Sequence, residues 1–246
     1  MNDGFINEKQ LSEYISNKDF SEYNPNIQKF LQFTFGNKFN VNLPFITRKM
    51  GGPVKPDLCI IHNGIEKYIS IKKGSGNSVH QESIDVFFPY FQNMLGTELL
   101  NNLKLFHYGD DTTDDTGINR YNASECKSRY KEQVCNLNTN INIWSNLSHF
   151  LDRFLFVGNI GSLAVDVIYH GTIDSGLWAS RSEIYDYIEN NKFSSNAIHF
   201  GPLTYQVWGR NEKRIAKHPD RRYVMQVKWG SITKDLEKIR ETTDNV

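Results

Sequence analysis

The hydrophobic pattern changes period several times along the chain. Ile27, Phe30, Leu31 and Phe35 recur at helical spacing, so Asn26 to Phe35 predicts a helix whose start suits Pro25. Glu8 to Ile15 has the same spacing. Phe39 to Met50 reads as a strand ending in Arg48-Lys49, with Gly51-Gly52-Pro53 as the turn after it. Two apolar, β-branched runs then flank Asn63-Gly64, the preferred pair for a two-residue type I′ hairpin because both residues must take positive φ. Further on, Leu95 to Phe106 is mixed, and Ser124 to Gln133 predicts a short polar helix. Asn136 to Asn142 reads as loop, and Ile143 to Phe156 as a helix carrying Trp144, Leu147, Phe150, Leu151 and Phe154. Leu163 to Tyr169 alternates like a strand. Ser182 to Glu189 reads as a capped helix, Asn196 to Gly209 and Tyr223 to Trp229 as strands, and Ser231 caps a last helix through Ile239.

The hairpin's register follows from its turn. His62 faces Ile65, and counting outward sets Asp57 opposite Ser70, so Asp57, Ser70 and Lys72 share one face. Directly opposed Cβ atoms lie roughly 4.5–5.5 Å apart and diagonal ones about 7–8 Å, a reach that suits two groups meeting one phosphate and its metal. After Lys73-Gly-Ser-Gly-Asn77, Ser78 and Gln81 form a capping-box signal for a helix starting near Val79. Pro89 is expected to end that helix. Glu82 would stand in or near its first turn, and folding back of the turn would bring it toward Asp57 and Lys72.

Pro56-Asp57, Ser70-Ile71-Lys72 and Glu82 together resemble the PD-(D/E)xK nuclease superfamily, the restriction-endonuclease-like fold. The usual pattern has an acid two residues before the lysine, where this chain has Ser70. Among type II restriction enzymes a known variation puts a small residue there and a glutamate from the following helix in the acid's place. The resemblance implies an α/β (α+β) fold, with a mixed central sheet flanked by helices and a C-terminal β-rich embellishment. It implies Mg²⁺ held by Asp57 and Glu82, with Lys72 orienting water or stabilising developing charge. Its implied substrate is double-stranded DNA, cut by a homodimer. Asp85 one turn on is an alternative second acid, and such folds often carry a glutamate on a helix before the hairpin, which makes Glu8, Glu13 and Glu22 alternatives too. His80 is a candidate support for a bound water.

Composition narrows the class. The chain has 246 residues, 39% hydrophobic and 13% aromatic, which suits one globular domain over 1–246; the resemblance implies a catalytic core about 26–110 and a DNA-contacting part about 160–240 within it. Its 28 basic and 28 acidic residues balance, which excludes a basic coat but not a basic cleft. Three cysteines make neither a disulfide framework nor a zinc pattern, and with no signal region or membrane span the reading is cytoplasmic. Asn-x-Ser at Asn122 and Asn146 then reads as chance.

Basic residues gather in two places. Arg48, Lys49, Lys55 and Lys73 surround the hairpin, and Arg210, Lys213, Arg214, Lys217, Arg221, Arg222 and Lys228 lie on or beside the connection between the last two strands. With Tyr205, Trp208, Tyr223 and Trp229 interleaved, the second group suits a nucleic-acid surface. Asp110 to Gly117 is an acidic loop whose spacing does not fit an EF-hand. Pro219-Asp220 before Gln226-Val227-Lys228 mimics the nuclease motif, but too few residues intervene for a hairpin. Asp166 with Lys228 is an alternative centre.

Overall fold

In the computed structural model of the chain, residues 3–74, 78–118, 120–210 and 216–243 are described. The first helices are α1 (Asp3–Ile15) and α2 (Pro25–Phe35). Strands β1 (Ile46–Lys49), β2 (Leu58–His62), β3 (Ile65–Lys72) and β4 (Ser78–Ser83) follow. Next come α3 (Ile84–Tyr108), α4 (Ala123–Arg129), α5 (Lys131–Ile141) and α6 (Trp144–Leu151), the last running into a π-helical turn at Asp152–Phe156. The chain continues through β5 (Val167–Gly171), β6 (Gly176–Ser180) and α7 (Arg181–Glu189). It ends with β7 (His199–Phe200), β8 (Leu203–Val207), β9 (Val224–Lys228) and α8 (Ile232–Thr243). The class is α+β. No helix among the described residues is long and apolar enough to cross a membrane.

These elements form two compact units, both discontinuous in sequence. The first comprises Met1–Asn77, Asp152–Asn190 and Ser231–Val246; the second, Ser78–Leu151 and Asn191–Gly230.

The first unit is built on a mixed five-stranded sheet in the order β1-β2-β3-β5-β6, antiparallel except for the central β3–β5 pair. Alternation along the strands puts Leu58, Ile60, Ile69, Ile71, Val167 and Tyr169 into one core with Leu11 and Ile15 of α1 and Ile27, Phe30, Leu31 and Phe35 of α2. Asn24 caps α2, accepting from Ile27 N, and Pro25 takes the first helical position, as its sequence predicts. β1 is shorter than expected from Phe39 to Met50. Asn40 turns the chain by accepting from Asn42 N at 3.0 Å, and that local bond displaces strand pairing upstream of Phe45. The strand expected at Leu163 to Tyr169 begins only at Val167, because Val165 N is bonded to Phe156 O and Asp166 N to Tyr68 O, outside any regular ladder.

The second unit has an antiparallel sheet, β4-β9-β8-β7. Here the helix expected from Val79 is a strand. Ser78 to Ser83 pairs with β9, and this long-range ladder overrides the local Ser78/Gln81 capping pattern. The true helix cap is Ser83, whose Oγ accepts from Asp85 N. Pro89 does not end α3. Phe87, Phe88 and Phe91 are all buried and hold the helix on both sides of the proline, and the break comes at Gly96, where φ is 85°. Asn136 to Asn142 is mostly helix rather than loop, since Val134, Leu137 and Ile141 form a buried stripe. The stretch from Asn196 to Gly209 is a hairpin, reversed at Gly201 with φ 57°. Tyr205 and Trp229 are core residues, exposed by only 2% and 0%, and offer no face to a base.

Candidate active site

The Asn63-Gly64 turn has φ values of 51° and 73°, as a type I′ turn requires, and pairs His62 with Ile65 through to Leu58 with Ile69. One residue further out, Asp57 N donates to Ile69 O at 2.9 Å, and Met50 N donates to Asp57 O at 3.1 Å. The Asp57 backbone is thus strapped between the end of β1 and β3, with its side chain over the end of β3.

There the carboxylate gathers donors on one oxygen. Oδ2 accepts from Ile71 N at 2.6 Å, Ser70 Oγ at 3.1 Å and Lys72 Nζ at 3.1 Å. Lys72 Nζ donates also to Ile71 O at 3.0 Å, so its position is fixed from two sides. Oδ1 has no hydrogen-bond partner among the described residues. Ser70 is buried, and the Lys72 and Asp57 side chains keep 19% and 23% of their surface open.

Helix α1 brings a second acid. Leu11 and Ile15 are fully buried, and Glu8 precedes them at three and seven residues, on the same side of the helix. The helix is clamped at two points: Asn7 Nδ2 donates to Gly171 O at 2.9 Å, and Thr47 Oγ1 donates to Ser12 O at 2.9 Å. Burial pushes the Glu8 carboxyl above the usual carboxylate range, and the negative charge of Asp57 pushes it further; Lys72 and Lys49 pull it partly back. No hydrogen bond reaches Glu8 among the described residues. Two acids that repel each other, one with an open oxygen, beside an anchored ammonium group form an arrangement that a divalent cation relieves.

Glu82 lies in the second unit, on β4. It shares the buried face with His80, whose Nε2 is 2.9 Å from Glu82 Oε1, the two side chains exposed by 3% and 7%. Asp85 is exposed and accepts from Ser83 Oγ. Of the other N-terminal acids, Glu13 pairs with Lys9 at the surface and Glu22 caps a short 3-10 turn. Asp166 uses both carboxylate oxygens to hold β3, accepting from Lys67 Nζ at 3.1 Å and Tyr68 N at 2.8 Å. Lys228 is paired in β9, opposite Ser78 and Thr204.

The basic candidates divide by their partners. Arg48 is bonded to Glu66 at 3.0 Å, Lys49 lies over the Phe5 ring, Lys55 is half-buried and Lys73 is exposed. In the second unit Arg210 is an internal brace, donating to Phe106 O, Tyr121 O and Cys126 Sγ and lying over the Phe106 ring, which turns it away from solvent. Arg222 is paired with Asp115, and Arg221 stacks on Trp208 at 4.0 Å. Lys213 and Arg214 lie outside the described residues, as do 75–77 of the glycine-serine turn. The acidic loop is held by arginines: Arg129 grips Asp111 with two bonds, holding its carboxyl down at about 2, and Arg120 bonds Asp115 at 2.6 Å.

Sequence reasoning did not single out His170. It stands beside Lys72 in the β3–β5 register, with Nε2 3.3 Å from Gly74 O. Among the described residues no group of three or more His, Cys, Asp or Glu side chains is placed to hold a metal. Compared with known families and with curated proteins, the chain matches no family model and no curated protein.

Proposed function

We propose that the first unit carries a Mg²⁺-dependent phosphodiesterase site and that the chain is an endonuclease of the PD-(D/E)xK kind acting on double-stranded DNA as a homodimer. The observation that carries the reading is the Lys72–Asp57 contact at the end of the hairpin, with Glu8 on α1 close enough to feel the charges of both. In it Glu8, not Glu82, is the second acid, because Glu82 already holds His80 in a buried pair.

The donor set fits the ion. Mg²⁺ prefers oxygen ligands, often takes only one or two carboxylates and keeps several waters, so a third acid at Ser70 is not required. Glu8 and the open Oδ1 of Asp57 would hold it. When bound, it supplies polarisation of the phosphodiester and acidification of water. Lys72, fixed by Asp57 Oδ2 and Ile71 O, orients the attacking water or stabilises the charge developing on the phosphoryl oxygens. Ser70 and Ile71 N keep the Asp57 carboxylate from rotating. The water oxygen bonds to phosphorus, the bond to the 3′ oxygen breaks, and that oxygen leaves with a proton.

The test is cleavage of duplex DNA, single-stranded DNA and RNA with Mg²⁺ or with EDTA. Metal-dependent cutting of duplex DNA, lost in Glu8→Gln, Asp57→Asn and Lys72→Ala, is the expected result. Ser70 in place of an acid favours a second reading, a module that binds DNA without cutting. Salt-sensitive DNA retention with no cutting would select it.

A further inference from the structure

The second unit contains a cavity of about 730 Å³, within the range of roughly 300–1,000 Å³ usual for small-ligand sites. One wall is the joint between α4 and α5, carrying Lys127 and Lys131; the other is the segment leading into β7, carrying Phe193 and His199. None of the described residues lining it is acidic, while serine, threonine and asparagine supply polar groups throughout. Both lysines are exposed and have no acidic partner among the described residues.

The far wall is built rigidly. Asn138 donates to Ala197 O at 3.0 Å and accepts from His199 N at 3.0 Å. One turn on, Asn142 donates to His199 O at 3.0 Å and accepts from Gly201 N at 2.7 Å. These two asparagines fix the backbone on both sides of His199. The imidazole is itself 5% exposed, and its Nδ1 is 2.9 Å from Gly201 O. A carbonyl only accepts, so Nδ1 carries the proton of that bond. Nε2 is left without a partner among the described residues, yet it is not sealed away as a buried unsatisfied atom. A held ring with one unused nitrogen lines a cavity flanked by two cations.

We infer that this cavity binds a nucleotide: Lys127 and Lys131 meet its phosphate, His199 Nε2 meets a polar edge of the sugar or base, and Phe193 offers a ring for stacking. The chemistry comes from two sources, a free mononucleotide or one residue of a nucleic-acid strand. Both supply an anion for the lysines and a flat, polar body for the wall opposite. The inference stands without the nuclease reading, because none of its residues belongs to the Glu8–Asp57–Lys72 group.

The test uses the full chain in EDTA, so that no hydrolysis intrudes. Calorimetric titration with the four deoxynucleoside monophosphates and with inorganic phosphate covers the first source. Anisotropy of a labelled single-stranded oligodeoxynucleotide covers the second. Lys127→Ala/Lys131→Ala should weaken binding by about tenfold or more, as expected for loss of charge-assisted contacts. His199→Asn keeps a donor for Gly201 O but removes Nε2, and should weaken binding severalfold. Lys234→Ala, an exposed lysine of α8, should change nothing. Binding of mononucleotides assigns the free source, and binding of the strand alone assigns the polymer. The inference is overturned if neither binds, if inorganic phosphate binds as tightly as the nucleotides, or if affinity survives in both cavity variants. Lys127→Ala/Lys131→Ala should leave any Mg²⁺-dependent cutting of duplex DNA in place, so failure of this inference and failure of the nuclease reading are told apart.

Discussion

Replacing Asp57 by Asn separates two duties of one carboxylate. Oδ2 holds Ile71 N, Ser70 Oγ and Lys72 Nζ, while Oδ1 faces no donor among the described residues. Asparagine keeps a carbonyl oxygen in the place of Oδ2, so the bonds to Ile71 N and Ser70 persist. The contact with the ammonium changes from an ion pair to a bond between a charged donor and a neutral oxygen, which stays in the charge-assisted class at the lower end of ~1.5–3 kcal/mol. Loss of the Asp57 charge also relieves Glu8, which offsets part of that cost. The net change should be within about 1 kcal/mol. Asp57→Ala differs, because it leaves Ile71 N–H and the buried Ser70 hydroxyl without an acceptor, at ~1–3 kcal/mol each, and Lys72 without its carboxylate. A loss of roughly 3 kcal/mol follows. At ~2–4 °C per kcal/mol for a chain of this size, the Asn variant should melt within about 4 °C of the wild type and the Ala variant roughly 6–12 °C lower. Thermal melts with and without millimolar Mg²⁺ complete the assay. The wild type should rise with the ion and Asp57→Asn should not. An Mg²⁺-dependent rise that survives in Asp57→Asn would refute the assignment of Oδ1 to the ion. An Ala variant as stable as the wild type would refute the three-donor account.

Three further outcomes are expected. Glu8 has a folded pKa raised above its unfolded one, so its ionised form costs stability at pH values above the folded pKa, and that cost disappears as the pH falls through it. Glu8→Gln should therefore melt higher than the ion-free wild type at neutral pH, by a margin kept small by solvent screening. The gain should fade in acid melts, and Mg²⁺ should reverse the order at neutral pH. His107 is buried between the Tyr205 hydroxyl at 2.6 Å and Arg222 O at 2.9 Å, and burial first, then Arg210 and Arg120, hold its pKa down at about 3. Its unfolded form takes a proton below pH ~6.5 while the folded form does not, so stability should drop by about 2 kcal/mol between pH 6.5 and 5, a slope that chemical denaturation should find absent in His107→Gln. Arg210→Ala removes a brace from the carbonyls of Phe106 and Tyr121 and should cost about 2–4 kcal/mol in urea melts, without lowering the salt dependence of DNA binding as loss of a phosphate contact would.

What the sequence made legible was local. Asn63-Gly64 fixes its own register within two residues, so the Asp57–Ser70–Lys72 group could be placed by counting, and the structure has it there. Glu8 did carry a signal, an acid at the spacing of Leu11 and Ile15, where an apolar residue would be expected. No rule of spacing, however, says that α1 lies against β3 rather than elsewhere. At Ser78 the local pattern pointed the wrong way, because a capping box is complete within four residues while the β9 partners of β4 are far along the chain. Arg210 looked like its basic neighbours, since the acceptors that hold it are two backbone carbonyls and a thiol, atoms that no charge pattern reveals.

Topology explains how a short hairpin keeps its place in so long a chain. β3 and β5 run parallel, so the chain must cross over between them, and here the crossing contains the whole Ser78–Leu151 segment of the second unit. Loop closure grows costlier only logarithmically, by about 0.6 kcal/mol per doubling, so a large insertion adds little to the cost of the pairing. What must be secured is the join itself. Asp166 does this from the β5 side, gripping Lys67 and Tyr68 N at the middle of β3, and Asn7 ties α1 to Gly171 at the other end of β5. Glu8 is one residue from that tie. The clamp that closes the sheet is therefore also what fixes α1, and with it Glu8, within reach of the Asp57 charge, so the proposed carboxylate pair depends on the β3–β5 pairing even though neither acid lies within those two strands.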